Sequence, residues 1–112
     1  MTKIGIFAQH AEGFSGHIRT LTLNAEVCLV EAEQSDNENA PDFRLHLGND
    51  GLGMEIGAGW KHIGEKAGDY VAILIDDPTF GGPIRANLFQ SDRSKSSHVL
   101  MWSRSTKREE RT

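Results

Sequence analysis

Ile56-Gly-Ala-Gly-Trp60-Lys-His-Ile-Gly-Glu-Lys-Ala-Gly-Asp69-Tyr-Val-Ala-Ile-Leu-Ile75-Asp-Asp-Pro-Thr-Phe80-Gly-Gly-Pro-Ile84-Arg-Ala-Asn-Leu-Phe89 reads as three strands in succession. Ile56, Ala58 and Trp60 alternate with Gly57, Gly59 and Lys61. That is the period of two of a half-buried strand, and it predicts the apolar set inside and Lys61 outside. The polar run from Gly64 to Asp69 turns the chain. Tyr70 to Ile75 is apolar and rich in β-branched residues, a strand expected to be covered on both faces. Asp76-Asp77-Pro78 stops it, because proline donates no N–H to a ladder and restricts the residue before it. Gly81-Gly82-Pro83 makes a corner, and Ile84 to Phe89 starts again as a strand.

The rest of the chain adds strands to this meander. Lys3 to Gln9 is a first strand, followed by a turn of hairpin length at His10–Gly13. From Phe14 the chain stays extended to Val30, but Ile18 is out of phase with Leu21 and Leu23. A bulge near Arg19–Thr20 would restore the register and bend the strand, as a barrel requires. Glu31 to Pro41 has the composition of a solvated loop and lacks the ligand spacing of a calcium or magnesium loop. Phe43, Leu45 and Leu47 then alternate with Arg44 and His46. Gly48 to Gly53 turns the chain, Ser91 to Ser97 is a polar hairpin loop, and His98 to Ser103 is the last strand. About six to seven short strands with turns at this spacing predict an all-β domain. The expected form is a small, strongly bent antiparallel barrel, OB-like or SH3-like, over residues 1–104, with a disordered charged tail over residues 105–112.

At 112 residues the chain can bury one core and not two. The lone Cys28 has no partner for an internal disulfide, which fits a reducing compartment. The first residues lack the apolar run of a signal peptide, and no stretch is apolar enough to span a bilayer. A cytoplasmic protein with no membrane partner is the expectation. The chain has 12 basic against 16 acidic residues, and residues 1–103 alone hold 8 against 14. A body that acidic gains no long-range attraction to a polyphosphate backbone, which argues against nonspecific nucleic-acid binding by the bulk of the domain.

No motif for catalysis stands out. Gly51-Leu-Gly53-Met-Glu-Ile-Gly57 misses the spacing of a dinucleotide-binding loop, and no helix follows it. Gly13-Phe-Ser15-Gly lacks the strand-to-helix setting of a nucleophile elbow. Asp76 and Asp77 are adjacent on an extended chain, so they point apart and are poorly placed to share a proton. The five histidines follow no ligand spacing, and Cys28 has no neighbour that would activate it. A non-enzymatic protein without cofactor or metal is expected. Trp60 and Trp102 are read as core or barrel-rim packing rather than base-stacking residues. Arg19, Arg44, Lys61 and Arg85 are all expected to point outward, with His46 and His62 in phase. If their strands are neighbours, they form one local basic face suited to phosphate or carboxylate recognition, with Lys107 and Arg108 of the tail adding to it.

A series of blocks resembles the domain-of-unknown-function 736 family. They are Ile4-Gly5, Phe14-x-Gly16-x-Ile18-Arg-Thr-Leu-Thr-Leu-Asn24, Glu38-Asn-Ala-Pro-Asp-Phe-Arg44, Glu55-Ile-Gly-Ala-Gly-Trp-Lys61, Asp69-Tyr70, Asp76-Asp-Pro-Thr-Phe80, Pro83-Ile-x-Ala-Asn-Leu88 and Trp102-Ser-Arg104. The resemblance covers nearly the whole chain to Arg104. It implies a setting, the conjugative plasmids and integrative elements of Gram-negative bacteria, without a mechanism. Leu74 stands where relatives tend to carry a polar, often basic, residue, and Arg85 where an aromatic is common. Two functions are therefore carried forward. One is an accessory module of a mobile genetic element that binds nucleic acid, single-stranded by expectation, through Arg19, Arg44, Lys61, Arg85, Lys107 and Arg108. The other is an acidic inhibitor or regulator that binds a host defence or conjugation protein. Exposed strand edges would leave room for a homodimer.

Overall fold

A computed structural model describes residues 2–10, 13–33, 35–64, 68–78, 81–91 and 97–103. They form eight strands: β1 (Thr2–His10), β2 (Gly13–Arg19), β3 (Asn24–Glu31), β4 (Phe43–Leu47), β5 (Glu55–Gly64), β6 (Gly68–Ile75), β7 (Ile84–Gln90) and β8 (Ser97–Trp102). Each strand pairs antiparallel with the next, and β8 returns to pair with β1, so the sheet is a closed barrel. The order is strictly up-and-down, unlike the Greek-key order of an OB fold. Closure leaves no unpaired strand edge in the sheet, which removes the edge argument for a homodimer.

The eighth strand comes from the segment expected to be one bulged strand. Thr20–Leu23 is a turn instead: the Thr20 N–H donates to the Leu23 carbonyl at 2.7 Å, and the Leu23 N–H donates to Thr20 Oγ1 at 3.1 Å. Arg19 then pairs with Asn24, and Leu21 stands fully exposed at the tip. The phase slip between Ile18 and Leu23 thus marks a reversal of the chain. A closed meander also requires it, because first and last strands meet antiparallel only when the number of strands is even.

Register irregularities occur elsewhere and enlarge the core. Lys3 pairs with Met101 but Gly5 with Leu100, so Ile4 is an extra residue on β1. Likewise Leu45 pairs with Gly57 but His46 with Glu55, so Ile56 is an extra residue on β5. Both isoleucines are buried in the core. A bulge changes the face presented by the residues beyond it, and this overturns the expected parity of β5. Phe43 lies opposite Gly59, and Gly59 in turn faces Ile73. Directly opposed residues share a face, so Gly57, Gly59 and Lys61 point into the barrel. Ala58, Trp60 and His62 stand on the outer wall beside Leu74, Ala72 and Tyr70.

The filled interior leaves no room for a side chain at Gly59, and the backbone of the paired strand leaves none at Gly57. An eight-stranded barrel is just wide enough for side chains to fill it. A Cβ on Gly59 would lie 2.9 Å from Val71 Cγ1 and 3.6 Å from both Leu29 Cδ2 and Phe43 Cβ. A Cβ on Gly57 would overlap the Leu74 carbonyl oxygen. Around them Phe7, Ile18, Val27, Leu29, Leu45, Ile75, Leu88 and Leu100 are almost wholly inaccessible to solvent. Trp102 packs against this core as expected. Trp60 does not: it lies outside, half-buried, with its Nε1–H donating to the Asn39 carbonyl at 3.0 Å.

Candidate functional site

The two ends of the barrel differ. At the end formed by the β2–β3, β4–β5 and β6–β7 connections the inward positions are apolar. Ile4, Ile18, Ile56 and Ile75 are buried there, and Ala25, Leu47, Ile84 and Trp102 pack against them. At the other end the alternation continues past the apolar run into polar residues. Gln9 follows Phe7, Glu31 follows Leu29 and Gln90 follows Leu88, each two positions on; Asp69 precedes Val71 and His98 precedes Leu100 by the same step. Lys61 follows Gly59 in the same way. These side chains surround a mouth of about 790 Å³ open to solvent, to which all eight strands contribute.

Its floor is aromatic. The Phe14 and Phe43 rings meet edge to face at 5.7 Å and 74°, and His98 meets Phe14 at 4.9 Å and 77°. The Lys61 ammonium lies 5.4 Å from the centroid of the Phe43 ring, within cation–π range. Asp42 fixes this side of the mouth. Its carboxylate accepts the Lys61 N–H at 2.8 Å, its own N–H donates to the Gly59 carbonyl at 2.9 Å, and its carbonyl accepts the Ala32 N–H at 3.0 Å. The ladder of β4 is thereby prolonged, and the β3–β4 connection is held against β5. That connection frames a second depression of about 820 Å³, which shares Glu31 and Lys61 with the mouth and adds Glu33, Asp36, Glu38 and Asp42.

The expected basic face does not assemble. Lys61 points inward at the mouth rather than outward. Arg19 is at the end of β2, on the outer wall near the apolar end. Arg44 is on the outer wall of β4, where its Nη1 donates to Glu55 Oε2 at 2.9 Å; the two side chains are 43% and 46% exposed, so the pair is solvent-screened. Arg85 is on the outer wall of β7, the strand across the barrel from β3, and so on the side away from β2 and β4. Lys107 and Arg108 lie outside the described residues, as does the tail expected to be disordered. His46 Nδ1 is 2.8 Å from the Gly53 carbonyl, His17 bonds Asn24, His98 faces the mouth, and His10 and His62 reach its rim from the outer wall. Among the described residues no three His, Cys, Asp or Glu side chains gather closely enough to hold a metal ion. Cys28 is buried opposite His46 and Ser15. No helix is long and apolar enough to cross a membrane among the described residues.

One more feature lies outside. His62, Tyr70 and Phe89 are cross-strand neighbours on the outer wall of β5, β6 and β7. His62 stacks on Tyr70 at 5.4 Å and 22°, and Tyr70 meets Phe89 at 5.4 Å and 38°.

A family model described as "Protein of unknown function (DUF736)" matches residues 3–105. No curated protein and no solved structure matches the chain.

Proposed function

We propose, from the premise that this chain belongs to the DUF736 family, that it is a non-enzymatic binding module working through the open mouth of its barrel. Its partner is a protein presenting a basic segment. In the setting suggested by the family resemblance, this is an inhibitor or regulator acting in the cytoplasm on a host defence or conjugation protein. The observation that carries the reading is the convergence of Gln9, Glu31, Lys61, Asp69, Gln90 and His98 over an aromatic floor. Six polar side chains turned toward one another add nothing to the core, whereas a few convergent polar groups above apolar walls are the usual make-up of a recognition site. Charge then selects the partner. The mouth and the adjoining depression hold Glu31, Glu33, Asp36, Glu38, Asp42 and Asp69 against Lys61, a field that attracts cations and repels phosphates.

Single-stranded nucleic acid is the second reading. The outer ring series His62–Tyr70–Phe89 favours it, since bases stack on aromatic side chains. The dispersed Arg19, Arg44 and Arg85 do not.

Two salt titrations of the full chain separate these readings, one with a short arginine-rich peptide and one with a single-stranded oligonucleotide. The mouth reading expects peptide binding that is lost in the Glu31→Lys/Asp69→Lys variant, and no oligonucleotide binding at low salt. Oligonucleotide binding that falls steeply with salt and disappears in Tyr70→Ala/Phe89→Ala would overturn it in favour of nucleic acid.

A further inference from the structure

We infer that the mouth seats a single cationic side chain, guanidinium or ammonium, offered by the protein partner, and that Lys61 occupies that seat in the free protein. This rests on the mouth being the working end and goes further by naming what enters it.

The argument starts from where Lys61 has put its charge. A lysine at a barrel rim can extend into water, and most do so, keeping the ammonium hydrated. Here the ammonium lies over the Phe43 ring instead. Among the described residues it has no carboxylate within ion-pair distance, so the ring is what holds it. The Phe43 ring is held in place by a T-shaped contact with Phe14, which makes a second T-shaped contact with His98. A supported aromatic face of this kind is a receptor for cations, and arginine uses it more often than lysine does.

The counter-charges stand on both sides. Glu31 is directly opposite Phe43 on β3, and Asp69 on β6 is opposite Ile63, two residues beyond Lys61 on β5. Both face inward and both line the mouth. A guanidinium on Phe43 has Glu31 directly across the strand pair and Asp69 further along the same mouth, and a carboxylate can meet it in a two-pronged contact. An anion in the same place meets one ammonium and two carboxylates, with four more acidic residues in the adjoining depression.

Displacing Lys61 is easy. Its side chain is exposed on a flexible stem, and exposed cation–π contacts are among the weaker ones. Lys61 is thus an internal competitor: it fills the seat when no partner is present and swings into water when a better-flanked cation arrives.

The test uses the full chain and backbone amide NMR with three probes of similar length: Nα-acetyl-arginine amide, its citrulline counterpart, which is uncharged but of the same shape, and Nα-acetyl-glutamate amide. The arginine probe is expected to shift the signals of Glu31, Phe43, Lys61 and Asp69, and the citrulline probe is not. Lys61→Met removes the competitor and is expected to tighten arginine binding about fivefold, while Glu31→Gln weakens it by a similar factor. Equal shifts from citrulline or glutamate, or weaker arginine binding in Lys61→Met, would overturn the cation seat while leaving the mouth as a binding site. No shift at the mouth from any of the three would overturn the seat and the working-end reading together.

Discussion

Two ends of one barrel, built from the same eight strands by the same alternation, have opposite interiors. At the sealed end every strand supplies an apolar inward residue, from Ile4 on β1 to Trp102 on β8. At the open end Phe14, Phe43 and Ile63 are apolar, and the six strands other than β2 and β4 also supply Gln9, Glu31, Lys61, Asp69, Gln90 and His98. A barrel needs one filled interior to be stable, and the sealed end with the middle layers provides it. Nothing in that requirement asks the open end to turn polar groups inward, since the same groups on the outer wall would be solvated equally well. The difference teaches that the packing which stabilises the fold is concentrated away from the open end, so substitutions there can test the proposed recognition with little cost to folding.

The largest expected effect is at the crowded β5–β6 wall beneath both ends. Gly57→Val places a side chain where even a Cβ overlaps a backbone oxygen of the paired strand, and backbone in a closed sheet cannot give way locally. A loss of about 3 kcal/mol or more is expected, read as a lower urea midpoint or as failure to fold. A wild-type midpoint would mean that β5 does not pair with β6 in this register. Next comes one substitution made at two places. Val27 is wholly buried on β3, whereas Val71 forms part of the floor of the mouth. Val71→Ala loses the transfer energy of two methylene-sized groups, about 1.5 kcal/mol, because the space created opens to water. Val27→Ala leaves an enclosed void as well, and is expected to cost about 1 kcal/mol more. Equal losses in urea titrations of the two variants would break the distinction between a sealed and an open end.

How much of this was legible depends on what each residue had to satisfy. The alternation of Phe43, Leu45 and Leu47, and of Val27 with Leu29, was readable because burial alone decides it. The expected six to seven strands fall short of the eight observed, because Thr20–Leu23 carries neither glycine nor proline; its reversal rests on the Thr20 hydroxyl. The parity of β5 read the wrong way round because hydrophobicity assigns glycine to neither face. Whether Gly57 and Gly59 lie inside is decided by Ile73, Ile75, Phe43 and Leu45 on neighbouring strands, which a single stretch does not contain. That error put Lys61 outside and hid the mouth. A signal was present all the same: Gln9, Glu31 and Gln90 each stand two residues beyond the last buried residue of a strand, in phase with the core. The supposed face of Arg19, Arg44 and Arg85 failed for a different reason, since parity says which side of the wall a residue takes but not where around the barrel its strand lies.

The smallest expected effect on stability is the sharpest probe of the two ends. Leu21 is 100% exposed at the tip of the β2–β3 turn on the sealed end, and Ile63 is 87% exposed at the rim of the mouth. Neither buries enough surface to matter for folding, so Leu21→Ser and Ile63→Ser should each change unfolding energy by less than about 0.5 kcal/mol. Their consequences for binding should part company. Ile63 lies on β5 between Lys61 and the turn that leads to Asp69, where an exposed apolar side chain can cover the stem of a partner's basic residue. Leu21 has the barrel's full length between it and the mouth. Titration of both variants with the arginine-rich peptide should show weakening for Ile63→Ser and none for Leu21→Ser. The reverse pattern would move the working surface to the sealed end and leave the polar mouth as solvated rim.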